Sequence, residues 1–474
     1  MANLGLGIIG CGNISTSYLR LAPLFKGLEV RAVADVNMEA AQARAAEFNV
    51  KAQSVDDLLA NPDVDVVINL TIPDAHYAVT KRILEAGKHA YSEKPLVLTL
   101  EQGVTLRDLA KSKGLAVGCA PDTFLGGSHQ QARALLDEGR IGTVTAAVAC
   151  VQNHGPEGWH PSPDFFFLPG AGPMLDLGPY YVANLINFLG PVKRVGALTS
   201  SATPTRTIGS GTRAGQEIPV KTPTNIHALL EFHSGATVNL TTSWDVWHHK
   251  RNHFELYGTE GTLYVPDPNF FGGTVEVAGR DGTLAPIAPW VHPFGVPNQD
   301  HPKHGALANY RTAGLADMVA ALTEGRDARC SLDRTLHGVD VMMACLTSGE
   351  TGQFVTLTTT CTRPAALSPA QARALENQCF VVQAPTVGMA PWSVAVDENH
   401  GAAGVFVPPD GDSPDNGVRA LGNEGESGWV FADINLKQVS EWREQGAVRP
   451  FAHWPEQFIG QHQASLPIET VPLD

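Results

Sequence analysis

The sequence predicts an α/β protein that opens with a doubly wound parallel sheet and continues into an α+β domain built on a second, mainly antiparallel sheet. Three observations predict it. An apolar strand runs into a glycine-rich turn at the N-terminus, and strand and helix signals then alternate through the first third of the chain. Beyond residue 140 come several strand signals with one helix inserted among them.

The first strand, Leu4-Gly5-Leu6-Gly7-Ile8-Ile9, feeds Gly10-Cys11-Gly12-Asn13-Ile14-Ser15. Gly10 suits a tight turn, and Gly12 lets a dinucleotide pyrophosphate approach the N–H groups of Asn13 and Ile14 at a helix start. Ser15 stands where a third small residue is needed for helix–strand packing. A second strand over 28–34 ends at Asp35, whose carboxylate is placed to accept ribose hydroxyls and repel a 2′-phosphate. Val36-Asn37-Met38 follows with no arginine, so NAD is expected rather than NADP.

The alternation continues in order. Residues 38–48 are Ala-rich and helical, and 64–70 form a buried strand ending in Thr71-Ile72-Pro73. Asp74 is read as the cap of a helix over 75–86 that Gly87 stops. A strand over 88–92 leads into Glu93-Lys94-Pro95, where a lysine at a strand end can face a nicotinamide ring. A helix over 99–113 and a short strand over 115–118 complete a first domain, 1–122. In the second domain, 123–367, strands are expected over 144–151, 228–232, 237–244 and 253–257. Ser234-Gly235 reads as a hairpin turn and 175–189 as a helix.

Gly10-x-Gly12-x-x-Ser15, Thr71-x-Pro73-x-x-His76, Gly87-Lys88-His89 and Glu93-Lys94-Pro95 resemble the glucose–fructose oxidoreductase and inositol dehydrogenase (Gfo/Idh/MocA) family. Gly139-Arg140-Ile141-Gly142, the run from Gly170 through Asp176 to Tyr180, and Tyr257-Gly258-Thr259-Glu260-Gly261-Thr262-Leu263 extend the match. The resemblance implies a Rossmann domain that places Thr71, Pro73, His76, Glu93 and Lys94 near the cofactor. It implies an open sheet carrying the substrate site and commonly a subunit interface, hence a homo-oligomer, dimer or tetramer. The implied activity is NAD(P)-dependent hydride transfer to or from a secondary alcohol of a sugar, polyol or sugar derivative.

In that family the lysine of Glu-Lys-Pro works with an aspartate and a histidine of an Asp-x-Gly-x-x-x-His or Asp-x-Gly-x-His segment. Lys94 and Asp176 match the first two, but Tyr180 stands at the histidine position. Histidine titrates near 6.5 unperturbed and tyrosine near 10, so Tyr180 needs a nearby cation such as Lys94 to act as base. The expected arrangement is a Tyr180–Lys94 proton-transfer pair with Asp176 orienting the sugar or the lysine, and His160 as the reserve base. Structural roles remain open beside these: Lys94 in a surface ion pair, Asp176 as a helix-start carboxylate, Tyr180 as a packed aromatic, Glu93 as a loop brace.

His154, Trp159, His160 and Trp247 form a candidate sugar pocket, because carbohydrates need flat aromatic faces and hydrogen-bonding groups together; ordinary packing is the other reading. The histidines lack metal-site spacing, so no metal is expected. With 33 Lys and Arg against 48 Asp and Glu, the formal charge is −15, which argues against nucleic acid as partner. No run reaches membrane-spanning length, and the first strand is read as leaving no room for a signal peptide. Seven cysteines without framework spacing read as reduced thiols, so a cytoplasmic protein is expected.

Beyond residue 367 the chain changes character. Arg373-Ala374-Leu375-Glu376-Asn377-Gln378-Cys379-Phe380-Val381-Val382 resembles the C-terminal part of nitrilase-type carbon–nitrogen hydrolases, as do Asp410-Gly411, Gly428-Trp429 and Trp454-Pro455-Glu456. That family's catalytic glutamate, lysine and cysteine lie before the stretch matched here, so Cys379 reads as a strand residue and 368–474 as an extension for assembly or a fusion remnant. A non-catalytic NAD-binding regulator and a hydrolase partner subunit stand as alternatives to the dehydrogenase.

Overall fold

A computed structural model of the protein describes residues 4–369, apart from 26, 161 and 302–304. Beyond them it describes 381–383, 388–389, 398–399, 403–407, 418–422, 430–435 and 437–438. The chain divides into two compact units, residues 2–372 and residue 1 with 373–474.

The larger unit starts with a six-stranded parallel sheet. Its strands are β1 (Leu4–Ile9), β2 (Leu28–Ala34), β3 (Lys51–Gln53), β4 (Val66–Asn69), β5 (His89–Ser92) and β6 (Val117–Cys119), in the spatial order β3-β2-β1-β4-β5-β6. Helices α1 (Asn13–Leu21), α2 (Met38–Phe48), α3 (Val55–Ala60), α4 (Pro73–Glu85) and α5 (Leu100–Lys113) make the crossovers. The order reverses between β1 and β4, which opens a crevice at the strand ends where such sheets bind ligands. Local chemistry sets the helix starts: the side chains of Asn37, Ser54 and Thr99 accept from the N–H groups of Glu39, Asp57 and Gln102. Asp74 does not cap α4 as the sequence suggested. Pro73 already occupies the first turn, where its missing N–H costs nothing, and Ile72 takes the cap position without a side-chain bond.

The second sheet has nine strands. After α6 (Gly127–Asp137) come β7 (Val144–Gln152), α7 (Pro173–Asp176), α8 (Gly178–Leu189) and β8 (Val192–Ser200), then a small hairpin of β9 (Thr205–Thr207) and β10 (Glu217–Pro219). There follow β11 (Asn225–Phe232), β12 (Thr237–Ser243), β13 (Phe254–Gly258), β14 (Gly261–Val265), β15 (Glu276–Gly279) and β16 (Leu284–Pro286). A hairpin of β17 (Gln299–His301) and β18 (Gly305–Leu307), helices α9 (Ala313–Glu324) and α10 (Leu332–Thr351), and β19 (Val355–Thr356) complete it. The spatial order is β16-β15-β14-β13-β7-β12-β11-β8-β19, antiparallel except for the β7–β12 pair. Alternation along β11 shows its two faces: Ile226, Ala228, Leu230 and Phe232 are buried, while His227 and Leu229 are exposed.

The single helix expected over 175–189 is broken at Leu177. Pro179 lacks an N–H and its ring would meet the carbonyl one turn back, so α7 ends and α8 begins afresh. Asp176 therefore ends the four-residue α7, one residue before Leu177, the N-cap of α8. After the second sheet the chain returns to the first: α9 and α10 pack against β6, and Gly118 bridges to Ser331.

In the smaller unit β20 (Val381–Gln383), β23 (Gly404–Phe406) and β24 (Val418–Leu421) pair antiparallel, and β21 (Gly388–Met389) pairs with β22 (Glu398–Asn399). Of the tail motifs, Val381 and Val382 lie in β20, whereas Cys379, Asp410, Trp429 and Trp454 lie outside the described residues. Among the described residues no helix is long and apolar enough to cross a membrane.

Candidate active site

The glycine turn joins β1 to α1 at the crevice. Gly10 has φ +105°, and a Cβ there would lie 2.5 Å from the Leu70 carbonyl oxygen, so only glycine fits. Gly12 is the N-cap of α1, and a Cβ there would meet nothing within 4 Å. The space in front of this backbone is therefore open, with Asn13 and Ile14 in the first helical turn behind it. Ser15 is fully buried, and its hydroxyl donates to the Gly12 carbonyl at 2.6 Å, tying the turn together. At the end of β2, Asp35 accepts the Cys11 N–H at 2.7 Å and the Asn37 N–H at 2.8 Å, which holds its carboxylate beside the turn. These residues fit a dinucleotide: an open helix start for the pyrophosphate and a fixed carboxylate for the ribose. Arg44 of α2, not among the expected site residues, reaches the Gly12 carbonyl at 3.4 Å and pairs with Glu47.

Thr71 and Pro73 line the turn after β4, where Asn69 Oδ1 accepts the Thr71 hydroxyl at 2.7 Å. His76 lies behind them, 1 % exposed, with Nδ1 2.6 Å from the Pro95 carbonyl and Nε2 2.9 Å from that of Thr71. Burial lowers its pKa against the pull of those two carbonyls, and a neutral ring donates to only one of them. His76 thus braces the Thr71 turn against the Glu93-Lys94-Pro95 turn. Glu93 is also held: Oε1 accepts the Tyr18 hydroxyl and Oε2 the Lys94 N–H, each at 3.0 Å.

Lys94 reaches across from the first domain to α7. Its Nζ donates to Asp176 Oδ1 at 2.8 Å and to the Asp176 carbonyl at 2.6 Å. The same Nζ stands 5.2 Å from the centre of the Tyr180 ring. Burial disfavours the ammonium, but Asp176, Tyr180 and Glu93 outweigh burial, and the pKa of Lys94 rises above its ordinary value. Lys94 is therefore a fixed cation at neutral pH, suited to steady a developing alkoxide or to donate a proton, and not to accept one. Of the two tasks expected of Asp176, the geometry gives it the orientation of the lysine.

The remaining expected residues gather elsewhere in two groups. His154 stacks on Trp247 with ring centres 3.3 Å apart, and His160 sits edge-on to Trp159, Phe165 and Phe166. Trp159 and Trp247 are exposed. Beneath His154 lies a charge cluster that sequence reasoning missed. Arg206 donates to Glu157 at 3.0 Å, to the Trp244 carbonyl at 3.2 Å, and to Asp245.

Asp122 was also missed. Asp122 Oδ2 accepts the N–H groups of Thr312 and Gly314, each at 3.0 Å. Burial raises the Asp122 pKa from 3.8 to about 6; the Gly314 and Thr312 N–H groups and Arg311 oppose that rise, and Glu93 adds to it. A folded-state value above the unfolded one means that its stability contribution is fully present below 3.8 and is lost as pH rises through about 6. Asp122→Asn should flatten that fall. Urea midpoints measured across this window should decline less with rising pH in the variant than in the wild type, and parallel curves would contradict the assignment.

The description "Oxidoreductase family, NAD-binding Rossmann fold" matches residues 4–120, and "GFO/IDH/MocA C-terminal domain" matches 129–264. The chain is 32% identical over 164 residues to an uncharacterized oxidoreductase of Schizosaccharomyces pombe, a stretch covering 34% of this chain and 43% of that protein. Over 268 residues it is 30% identical to a dTDP-3,4-didehydro-2,6-dideoxy-alpha-D-glucose 3-reductase of Saccharopolyspora spinosa, covering 55% of this chain and 74% of the relative. In fold it is similar to a levoglucosan dehydrogenase solved with NADH and L-sorbose, with a TM-score of 0.64 at 21% identity over 76% of this chain and all of the other. The glycine turn, the Lys94–Asp176 pair and these matches together place the chain in the Gfo/Idh/MocA family of oxidoreductases, with an NAD-binding Rossmann domain at its N-terminus.

Proposed function

We propose that the protein is an NAD-dependent dehydrogenase that interconverts a secondary alcohol and a ketone on a sugar, polyol or sugar derivative. The observation that carries this reading is Lys94 held by Asp176 beside Tyr180, across from a turn fit for a dinucleotide. NAD, when bound, supplies the acceptor for the hydride leaving the carbinol carbon. Tyr180 takes the hydroxyl proton in the same step, and Lys94 holds the alcohol oxygen and stabilises its developing charge. Asp176 fixes the direction of Lys94. The sugar class is supported by the activities for which the relatives are named and by the exposed faces of Trp159 and Trp247. The test is purified protein with NAD and a panel of sugars, polyols and their acids. Cofactor reduction with a panel member supports the reading; NAD binding with no turnover on any of them favours a regulatory protein.

Asp35 accounts for the choice of NAD over NADP. A charged hydrogen bond contributes about 1.5–3 kcal/mol, so Asp35→Ala should weaken NAD binding by about 10- to 100-fold. NADP binding should hold or improve, because the carboxylate that repels its phosphate is gone. Titration of both cofactors by fluorescence quenching checks this, and an equal loss for the two would contradict it.

A further inference from the structure

We propose that the polar cluster under His154, made by Glu157, Arg206 and Ser210, is a subsite for substrate hydroxyls remote from the reacting carbon, and that it selects neutral sugars over phosphorylated or carboxylated ones. The inference rests on the dehydrogenase reading above and narrows its substrate class.

The cluster is short of partners. Among the described residues, Glu157 Oε2, Arg206 Nε, His154 Nδ1 and Ser210 Oγ are all buried without a hydrogen bond. They belong to one place. Arg206 donates to Glu157 Oε1 at 3.0 Å, and His154 Nε2 stands 4.0 Å from that same oxygen. The Gly209 N–H, next to Ser210, donates to the Glu157 carbonyl at 2.8 Å. Glu157 is 4 % exposed and Arg206 7 %. Burying a charged group with a bond unmade is costly, so a native site of this kind is completed from outside the chain, by water or by a ligand.

The unmade bonds define the ligand's chemistry. Asp245 is fully used: it accepts from Arg206, from the Thr224 hydroxyl at 2.9 Å and from the Ala202 N–H at 3.3 Å. Its task is to fix the guanidinium. Glu157 Oε2 is left over, and a carboxylate oxygen needs a donor; Arg206 Nε is left over, and it needs an acceptor. A hydroxyl group meets both demands. A phosphate or carboxylate only accepts, and here it would meet two carboxylates against one guanidinium. His154 does not redress that balance, because burial and the Arg206 charge lower its pKa below 6.5. An ammonium group only donates and leaves Arg206 Nε unmet.

The fold sets this cluster beside the reacting centre. β7 and β12 end, and β11 begins, at one edge of the second sheet, and the cluster lies in the loops there. The Thr224 hydroxyl joins Asp245 to the start of β11, and the Thr222 hydroxyl donates to the Ala171 carbonyl at 3.4 Å. Two residues after Ala171 comes α7, whose four residues span about 6 Å and end at Asp176. Asp176 carries Lys94, so the cluster lies beyond the opposite end of that short element. Its roof is the His154–Trp247 stack, and Trp247 is 81 % exposed. Turning this pair outward opens the cluster and offers the indole face to the C–H surface of a sugar ring.

The test uses matched sets with NAD: glucose, galactose and mannose, each beside its 6-phosphate and its uronate. The neutral member should exceed both charged partners by at least about 10-fold in kcat/KM. Glu157→Gln removes one of the two carboxylates and should shrink that preference. Ser210→Ala leaves the ion pairs intact and should raise KM about 3- to 10-fold with kcat unchanged, the mark of binding lost away from the chemistry. Without cofactor, neutral sugars should change the Trp247 emission, isolated by subtracting Trp247→Phe. A charged member used as well as its neutral parent, or an unmoved KM in both variants, would overturn the inference while leaving the dehydrogenase reading intact. No turnover in these sets or in the wider panel, with NAD bound, would instead defeat that reading and this inference with it.

Discussion

Lys94→Met should lose about 10²–10⁴-fold in kcat/KM, the usual range for removing a group that exchanges or stabilises charge in the transition state, while NAD still binds. The reason is where its contacts lie. Lys94 sits at the end of β5, and its Nζ bonds to α7 of the second domain through Asp176 and faces Tyr180. It makes no hydrogen bond to the glycine turn or to Asp35. Methionine keeps the length of the stem and most of its packing but removes the ammonium, which leaves Asp176 without its cation. The alcohol oxygen then has no positive charge to meet, whereas the pyrophosphate and ribose contacts are untouched. Steady-state kinetics with a reactive sugar, together with a cofactor titration, separates the two effects. Equal losses in cofactor affinity and turnover would show Lys94 to be a cofactor-binding residue only.

Arg206→Met should destabilise the protein by about 3–5 kcal/mol, the cost of breaking a buried ion pair from one side. Arg206 is 7 % exposed and bonds to Glu157, itself 4 % exposed, and to Asp245. Asp245 also accepts the Thr224 hydroxyl at 2.9 Å, so the cluster ties the start of β11 to the segment after β12. Without the guanidinium two carboxylates face each other in a dry site. His154, stacked on Trp247 directly above, loses its floor, so the aromatic wall should loosen as well. The urea midpoint reports the first effect and Trp247 fluorescence the second. Adding Glu157→Gln and Asp245→Asn to Arg206→Met should recover much of the loss, because amides need no cation. A single variant within about 0.5 kcal/mol of wild type, the range of an ordinary surface change, would contradict this account.

How much of this was legible in the sequence depends on how local each signal is. The glycine turn, Asp35 and Glu93-Lys94-Pro95 were legible because each is a few residues at a strand end, and the sheet order then brings those ends together. The Lys94–Asp176 contact spans 82 positions and was legible only through the family resemblance. Tyr180 was noticed as a departure from pattern. Asp122 was missed because its partners, the N–H groups of Thr312 and Gly314, lie 190 and 192 positions away in a segment that carries no motif. Arg206 was missed for the same reason: a lone arginine in a polar loop gives no sign that two carboxylates will close on it. The break at Leu177 was foreshadowed by Gly178-Pro179, where apolar periodicity hid a proline. The return of α9 and α10 to the first sheet could not be read locally, because their apolar faces say that they are buried but not against what.

The most direct measurement uses reduced cofactor carrying deuterium at the transferable position of the nicotinamide, incubated with the protein and a pool of keto sugars and their derivatives. Mass spectrometry then follows the label. The account predicts deuterium on a carbinol carbon of a sugar-class product, present with the wild type and absent with Lys94→Met. Bound cofactor that keeps its deuterium in the presence of every ketone in the pool would contradict it.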